Sequence, residues 1–216
     1  MRIKKVIPTI TGFLEIKLDQ EVIDYLWKII EKGISDKNDF KEKLAGNIQQ
    51  SYKLKDQNNY FYKSVCIPSV NAFRKTNGDK DPMQTNTIVK PSTPLLLDTF
   101  WVNYQYQNEF NPSHKHSGVY SFAIWMRIPY DWNEQKKLPL FSGMKEGNIK
   151  AGSFEFQYTD TLGTLETNEY RLSSELEGTM LFFPAALKHC VYPFYNNKNP
   201  RISISGNLIF DGRVPS

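Results

Sequence analysis

Cysteine is nearly missing from this chain, with two thiols, Cys66 and Cys190, in 216 residues. Two cysteines cannot staple a disulfide framework, so a buried core has to hold the fold, and reduced thiols are expected. Long apolar runs are missing too. None approaches the ~20 residues of a bilayer-spanning helix, so no membrane role is expected. The opening stretch MRIKKVIPTITGF has neither the apolar block nor the small-residue cleavage site of an export signal, and the expectation is a cytoplasmic protein. Dense basic runs are absent: 27 Lys and Arg stand against 23 Asp and Glu, for a net charge of +4. The longest runs are pairs such as Lys4-Lys5 and Lys136-Lys137, which is no strong nucleic-acid signal. There is no repeat, Walker loop, dinucleotide fingerprint, serine nucleophile elbow or paired-cysteine zinc pattern.

What is present is an ordinary globular composition, 40% hydrophobic and 23% charged. A single domain of this length buries roughly 70% of the surface its unfolded chain exposes. Residues 6–18 are rich in β-branched side chains and predict one or two short strands. Asp19 is placed to cap a helix in which Val22, Leu26, Ile29 and Ile30 recur at helical spacing, with Gly33 closing it. Leu44 and Ile48, four apart, predict a second helix within Phe40 to Tyr52. Residues 74–94 are polar with three prolines and read as a surface loop that could serve as a lid. From Leu95 onward at least five β segments follow with no helical pattern between them, which points to a sandwich or barrel. The expectation is one domain over 1–216: a helical and strand N-terminal part over 1–94 packed on a β core over 95–216.

The chain has three histidines, His114, His116 and His189, all in the β half. On a strand, positions i and i+2 share a face, so His114 and His116 can reach a common point. His189, just after the strand TMLFFP, can supply a third imidazole, the requirement for a three-ligand site on a β scaffold. The plain alternative is that each ring sits on a loop or is hydrogen-bonded in the core. Downstream, HCVYPFY, the turn YNNKNP and RISISGNLIF read as a hairpin, which would put Arg201 on the strand paired with the one after His189. Arg201, Ser203, Ser205 and Asn207 alternate with apolar residues and form one polar face. A guanidinium fork matches a carboxylate in two parallel hydrogen bonds, although an exposed strand face with a surface Arg would give the same pattern. Glu109 is a candidate to orient an imidazole, and Asn103 and Tyr120 are expected to face the pocket. Trp101, Trp125 and Trp132 read as core or pocket wall, and Cys190 should point away from His189.

NEFNPSHKHSGVYSFAIWMRIPY, followed by GTMLFFPAALKHCVYPFYNNKNPRISISGNLIF, resembles the 2-oxoglutarate- and Fe(II)-dependent oxygenases found often in tailed-phage genomes. LAGNIQQSYKLKD resembles their N-terminal part, so the likeness covers roughly residues 44–210. It implies a mainly β fold with a helical N-terminal part, a double-stranded β-helix (jelly roll, cupin-like), and chemistry that uses Fe(II), 2-oxoglutarate and O2. His114 then corresponds to the first ligand and His189 to the distal one. Arg201, in an Arg-x-Ser pair with Ser203, binds the far carboxylate of 2-oxoglutarate, with Asn103 added as a cosubstrate-side residue. The wider superfamily carries Asp or Glu where His116 stands, so the site departs from the 2-His-1-carboxylate pattern.

Other readings stay open. His116 as first ligand with Gly118 in the carboxylate position would resemble radical halogenases. Gly178, Pro184 and His189 match the second cupin motif, with Ala186 where glycine is expected, but Tyr120 and Ser121 stand where the first motif needs Glu. A three-histidine zinc site for a hydrolase or lyase and a non-catalytic jelly-roll structural or assembly module are the alternatives to an oxygenase. The prime substrate is unknown from the residues: a peptide side chain, a nucleobase or a small metabolite. No oligomeric state can be read either.

Overall fold

Strict alternation along the β segments decides the architecture, because each strand has to hide one face and offer the other. The computed structural model describes residues 12–78, 81–82 and 93–212. In chain order these form β1 (Leu14–Lys17), α1 (Gln20–Ser35), β2 (Gln50–Lys53), α2 (Ile67–Thr76), β3 (Leu95–Gln105), β4 (Asn111–His114), β5 (Tyr120–Arg127), a one-turn α3 (Trp132–Gln135), β6 (Ser153–Thr159), β7 (Leu165–Arg171), β8 (Thr179–Pro184), β9 (Lys188–Val191) and β10 (Arg201–Phe210). They build two antiparallel sheets, β1-β8-β5-β10-β3-β2 and β4-β9-β6-β7, in the jelly-roll arrangement the resemblance implies.

The large sheet separates two environments. On its outer face Phe100, Val102, Phe122, Ile124, Ile202 and Ile204 pack with the helical layer, where Leu26, Ile30, Phe61 and Phe73 are buried. Each such side chain contributes about 1.5–3 kcal/mol by leaving water. The residues between them, Thr99, Trp101, Asn103 and Gln105 on β3 and Arg201, Ser203, Ser205 and Asn207 on β10, line a cavity between the sheets. A slip of one residue would exchange the two sets, and burial of the apolar set on the helices fixes the register: Gln105 opposite Arg201, Asn103 opposite Ser203, Trp101 opposite Ser205. A second apolar cluster, with Trp125, Phe154, Phe156, Leu181, Phe183 and Phe194, fills the space between the sheets beside the cavity.

Helix α1 buries Val22, Leu26, Ile29, Ile30 and Gly33, the residues its spacing selects. The second helix is not where the Leu44/Ile48 spacing predicts it. Residues 41–43 make a single 3-10 turn, and Gln50–Lys53 is a strand because the open edge of β3 supplies its hydrogen bonds. Leu44 and Ile48 face the cavity instead. The real second helix is α2, which follows a π-turn at Tyr62–Cys66 and carries Pro at its start. It takes in residues 74–76 of the expected loop. Asp81, from the same stretch, is buried, receiving two bonds from Arg74 (2.8 and 2.6 Å) and one from the Tyr120 hydroxyl (2.6 Å). Residues 83–92, the bulk of the expected lid, and residues 1–11 lie outside the described residues. The expected β9–β10 hairpin is also corrected: β9 pairs with β4 and β6, whereas β10 lies between β3 and β5 in the other sheet. Among the described residues no helix is long and apolar enough to cross a membrane.

Candidate active site

His114 ends β4 and stands directly opposite His189 on β9, with ring centroids 4.3 Å apart. His116 has left the strand, so it does not reach the site by sharing a strand face with His114. Its backbone N–H donates to the Ala185 carbonyl (2.9 Å), tying the loop after β4 to the β8–β9 turn. That tie sets the His116 ring 5.0 Å from each of the other two. One nitrogen from each ring falls within 4.8 Å of the others.

The unused ring nitrogens explain the orientation. His114 Nδ1 lies 2.7 Å from the Pro112 carbonyl and His189 Nδ1 lies 3.0 Å from the Leu187 carbonyl. A carbonyl only accepts, so Nδ1 carries the proton and Nε2 keeps its lone pair for a metal. Backbone carbonyls thus do the job expected of Glu109. That carboxylate instead accepts from the Tyr106 and Gln49 N–H groups (2.9 and 3.3 Å), tying the β3–β4 turn to the segment entering β2. The rings of Phe154, Phe156 and Phe183 surround His189 at 5.6, 6.1 and 5.1 Å. Burial among them pulls His189 down to about 3, helped by His114; burial and His114 also pull His116 down to about 4, and burial lowers His114. All three are neutral donors at neutral pH.

Arg201 opens β10 on the same cavity and is 1% exposed. Its Nη1 donates to the Tyr130 hydroxyl at 2.5 Å and its Nη2 to Gln105 Oε1. The Tyr130 hydroxyl donates to the Gly152 carbonyl (2.9 Å), and Gln105 Nε2 donates to the Glu109 carbonyl (2.6 Å). Both partners are neutral, and among the described residues no carboxylate pairs with this guanidinium. A buried cation without a counter-charge is held at a penalty of several kcal/mol, which an anion in the cavity would relieve. Asn103 and Ser203 line the cavity beside it, and Asn103 Oδ1 accepts from the Ser51 hydroxyl at 2.9 Å. Sequence reasoning missed Gln105 and Tyr130. Gln105 was legible as the next inward residue after Asn103; Tyr130 has no local signal.

Several expectations are corrected. Tyr120 faces the helices, stacked with Phe182 and bonded to Asp81, because its parity on β5 points it out of the cavity. Trp132 is core as expected, 3% exposed, with the Arg171 guanidinium 4.0 Å from its ring, and Trp101 and Trp125 are cavity wall, also as expected. Cys190 points away from His189, toward Glu155 and Gln157, and burial raises its thiol. Gly118 sits at φ +119° with room for no side chain, since a Cβ would come 2.8 Å from the Leu208 carbonyl. With His114 converging on the other two rings, a His116/Gly118 arrangement leaves a ligand over. The cavity holding the imidazoles and Arg201 measures about 520 Å³, within the range of small-molecule sites.

A jelly roll with three convergent neutral imidazoles and an unpaired buried guanidinium in one cavity is suited to binding a metal and a carboxylate together. Residues 99–207 match the family described as "Putative 2OG-Fe(II) oxygenase". The match spans half the chain and includes all three histidines and Arg201, and the chain belongs to that family. It is a 2-oxoglutarate-dependent dioxygenase, and its cofactors are Fe(II), 2-oxoglutarate and O2. Among solved structures, a Pseudomonas putida prolyl-4-hydroxylase is similar at a TM-score of 0.50 and 12% identity, over 94% of each chain. An oxidoreductase of the 2OG-Fe(II) oxygenase family from Burkholderia pseudomallei is similar at 0.52 and 10%, over 92% of this chain and 84% of its own. At such identities the likeness is one of fold. No curated protein matches the sequence.

Proposed function

We propose that His114, His116 and His189 hold the iron and that Arg201 binds the far carboxylate of 2-oxoglutarate, with Ser203 and Asn103 beside it. The activity read from this is oxidation of a substrate, in the manner of a hydroxylase, coupled to decarboxylation of 2-oxoglutarate. One observation carries the reading: a fully buried Arg201, held among the described residues by neutral partners, shares a cavity with three convergent imidazoles, of which His114 and His189 keep Nε2 unspent.

The donor set fits the metal, since imidazole suits iron and leaves coordination positions open. Bound there, iron would activate O2, which is the oxidant; 2-oxoglutarate would supply two of its four electrons on decarboxylation to succinate and CO2, and the substrate the other two. The chain's own share is placement. Tyr130 and Gln105 lock the plane of the guanidinium, so its remaining N–H groups are aimed before the carboxylate arrives. Pro112 and Leu187 hold the Nδ1 protons of two ligands and prevent their rings from turning. Phe154, Phe156 and Phe183 keep water from His189.

The test is an anaerobic titration of metal-free protein with Fe(II) and then 2-oxoglutarate, followed by visible absorption. The expected result is a charge-transfer band that needs both additions and disappears in His189→Ala. A band indifferent to 2-oxoglutarate would refute the cosubstrate assignment. The zinc hydrolase reading needs the same three imidazoles but no succinate, so succinate release with O2 uptake separates the two.

A further inference from the structure

We infer that the outer part of the cavity binds its substrate through an anionic group set beside a planar ring, the chemistry of a nucleotide. This rests on the iron and 2-oxoglutarate assignment above and concerns what fills the rest of the same cavity.

Three lysines line the cavity, Lys43, Lys53 and Lys115, against one carboxylate, Asp98. Among the described residues none of the three is paired with a carboxylate. Their places in the chain bring them to one end. Lys115 lies between His114 and His116, and Lys53 stands opposite Trp101 in the β2–β3 ladder. Lys43 follows closely after Phe40, whose ring stacks on Trp101 at 5.0 Å with the planes 21° apart. Trp101 in turn lies 5.8 Å from His116.

Arg201 is remote from this cluster. It pairs with Gln105, four residues along β3 from Trp101, a distance of roughly 13 Å along a strand. A five-carbon diacid anchored on Arg201 and chelating at the histidines leaves the Phe40–Trp101 end open. Its two carboxylates are taken up by the iron and Arg201, so the lysines still present a cationic rim, which favours an anion in the cavity mouth. The wall there is aromatic: Phe40, half-buried, covers the Trp101 ring and lines the cavity, a surface of the kind on which bases stack. An acidic peptide would satisfy the lysines but not the aromatic wall.

The experiment is isothermal titration of adenosine monophosphate into the protein loaded anaerobically with Fe(II) and 2-oxoglutarate. Adenosine, inorganic phosphate and a tetraglutamate peptide are run beside it. The nucleotide is expected to bind about tenfold or more tightly than any of the three, and to weaken as salt is raised. The double variant Lys43→Glu/Lys53→Glu should lower its affinity by about tenfold or more. Lys43→Met/Lys53→Met, which adds no repulsion, should lower it in the same direction. Adenosine or tetraglutamate binding as tightly as the nucleotide, or an affinity unmoved by the lysine substitutions, would overturn the inference. The absorption band keeps the two claims apart. A band with no nucleotide binding refutes this inference alone, and nucleotide binding without a band refutes the metal and cosubstrate assignment alone.

Discussion

Replacing Arg201 with methionine separates a guanidinium kept for a ligand from one kept for the fold. The side chain is 1% exposed, and among the described residues its charge meets the Tyr130 hydroxyl and Gln105 Oε1. In the Fe(II)-loaded wild type, 2-oxoglutarate at a hundred times its Kd stabilises the native state by about 2.7 kcal/mol. For a chain of this size that is a rise in Tm of about 5–11 °C. Truncating one partner of a buried, hydrogen-bonded charge pair costs about 2–5 kcal/mol, or about 30- to 4,000-fold in affinity. At the same 2-oxoglutarate concentration the stabilisation of Arg201→Met then falls below about 1 kcal/mol. The unliganded variant should melt no lower than the unliganded wild type, because methionine fills the volume and removes an uncompensated charge. The assay is anaerobic calorimetry with and without 2-oxoglutarate. An unliganded Tm that drops steeply, with the full ligand-induced rise retained, would refute the reasoning and make Arg201 a structural residue.

Gly152 sits at φ +69°, and a Cβ there would come 2.6 Å from Tyr130 Cε2. Gly152→Ala is therefore expected to lose about 1–3 kcal/mol in urea unfolding and to raise the KM for 2-oxoglutarate by displacing the hydroxyl that holds Arg201. Arg74→Met removes the guanidinium that donates two hydrogen bonds to the buried Asp81 carboxylate. It should lower the denaturant-derived stability by about 3–5 kcal/mol, with 2-oxoglutarate affinity unchanged because this pair lies on the helix side of the large sheet. In the metal-free protein, burial holds His116 at about 4 and His189 at about 3, below the ordinary 6.5. As pH falls below 6.5 the unfolded chain takes up protons that the folded chain refuses. Stability is then complete above that pH and declines toward the folded values by up to about 1.4 kcal/mol per unit for each ring. Urea unfolding at pH 7.5, 6 and 5 checks this, and a flat profile that His189→Gln does not alter would contradict it.

Where the sequence was legible, local pattern and final environment agree. The buried residues of α1 follow its 3.6-residue period, and β3, β5, β6, β8 and β10 fall inside segments whose alternation or β-branched content marks them. The three histidines were legible through scarcity. The misses share a physical cause, a partner remote in the chain. Gln50–Lys53 becomes a strand because β3 has an open edge, although Leu44 and Ile48 carry helical spacing. LETNEYR becomes β7 by pairing with β6, with little apolar content of its own to mark it. β9 and β10, consecutive in the chain, enter opposite sheets, and a hairpin reading cannot anticipate that, because each strand takes its partners from remote segments, β4 and β6 for one, β3 and β5 for the other. Tyr130 and Gln105 reach Arg201 from 71 and 96 residues away, and no local spacing encodes either contact.

His116 and the unpaired Arg201 make sense together rather than singly. On the proposed assignment, three neutral imidazoles would leave a ferrous ion with its whole charge of +2, and the far carboxylate of 2-oxoglutarate would be taken by Arg201. The near carboxylate would then bring the iron end to +1, where a carboxylate at 116 would bring it to zero, so His116 strengthens the pull on the near carboxylate. Arg201 would meet the far end of the dianion, and Tyr130 and Gln105, both neutral, hold it without spending its charge. On that assignment each end of the cavity is short of one negative charge or more until a dicarboxylate is present, and one molecule with an anion at each end serves both.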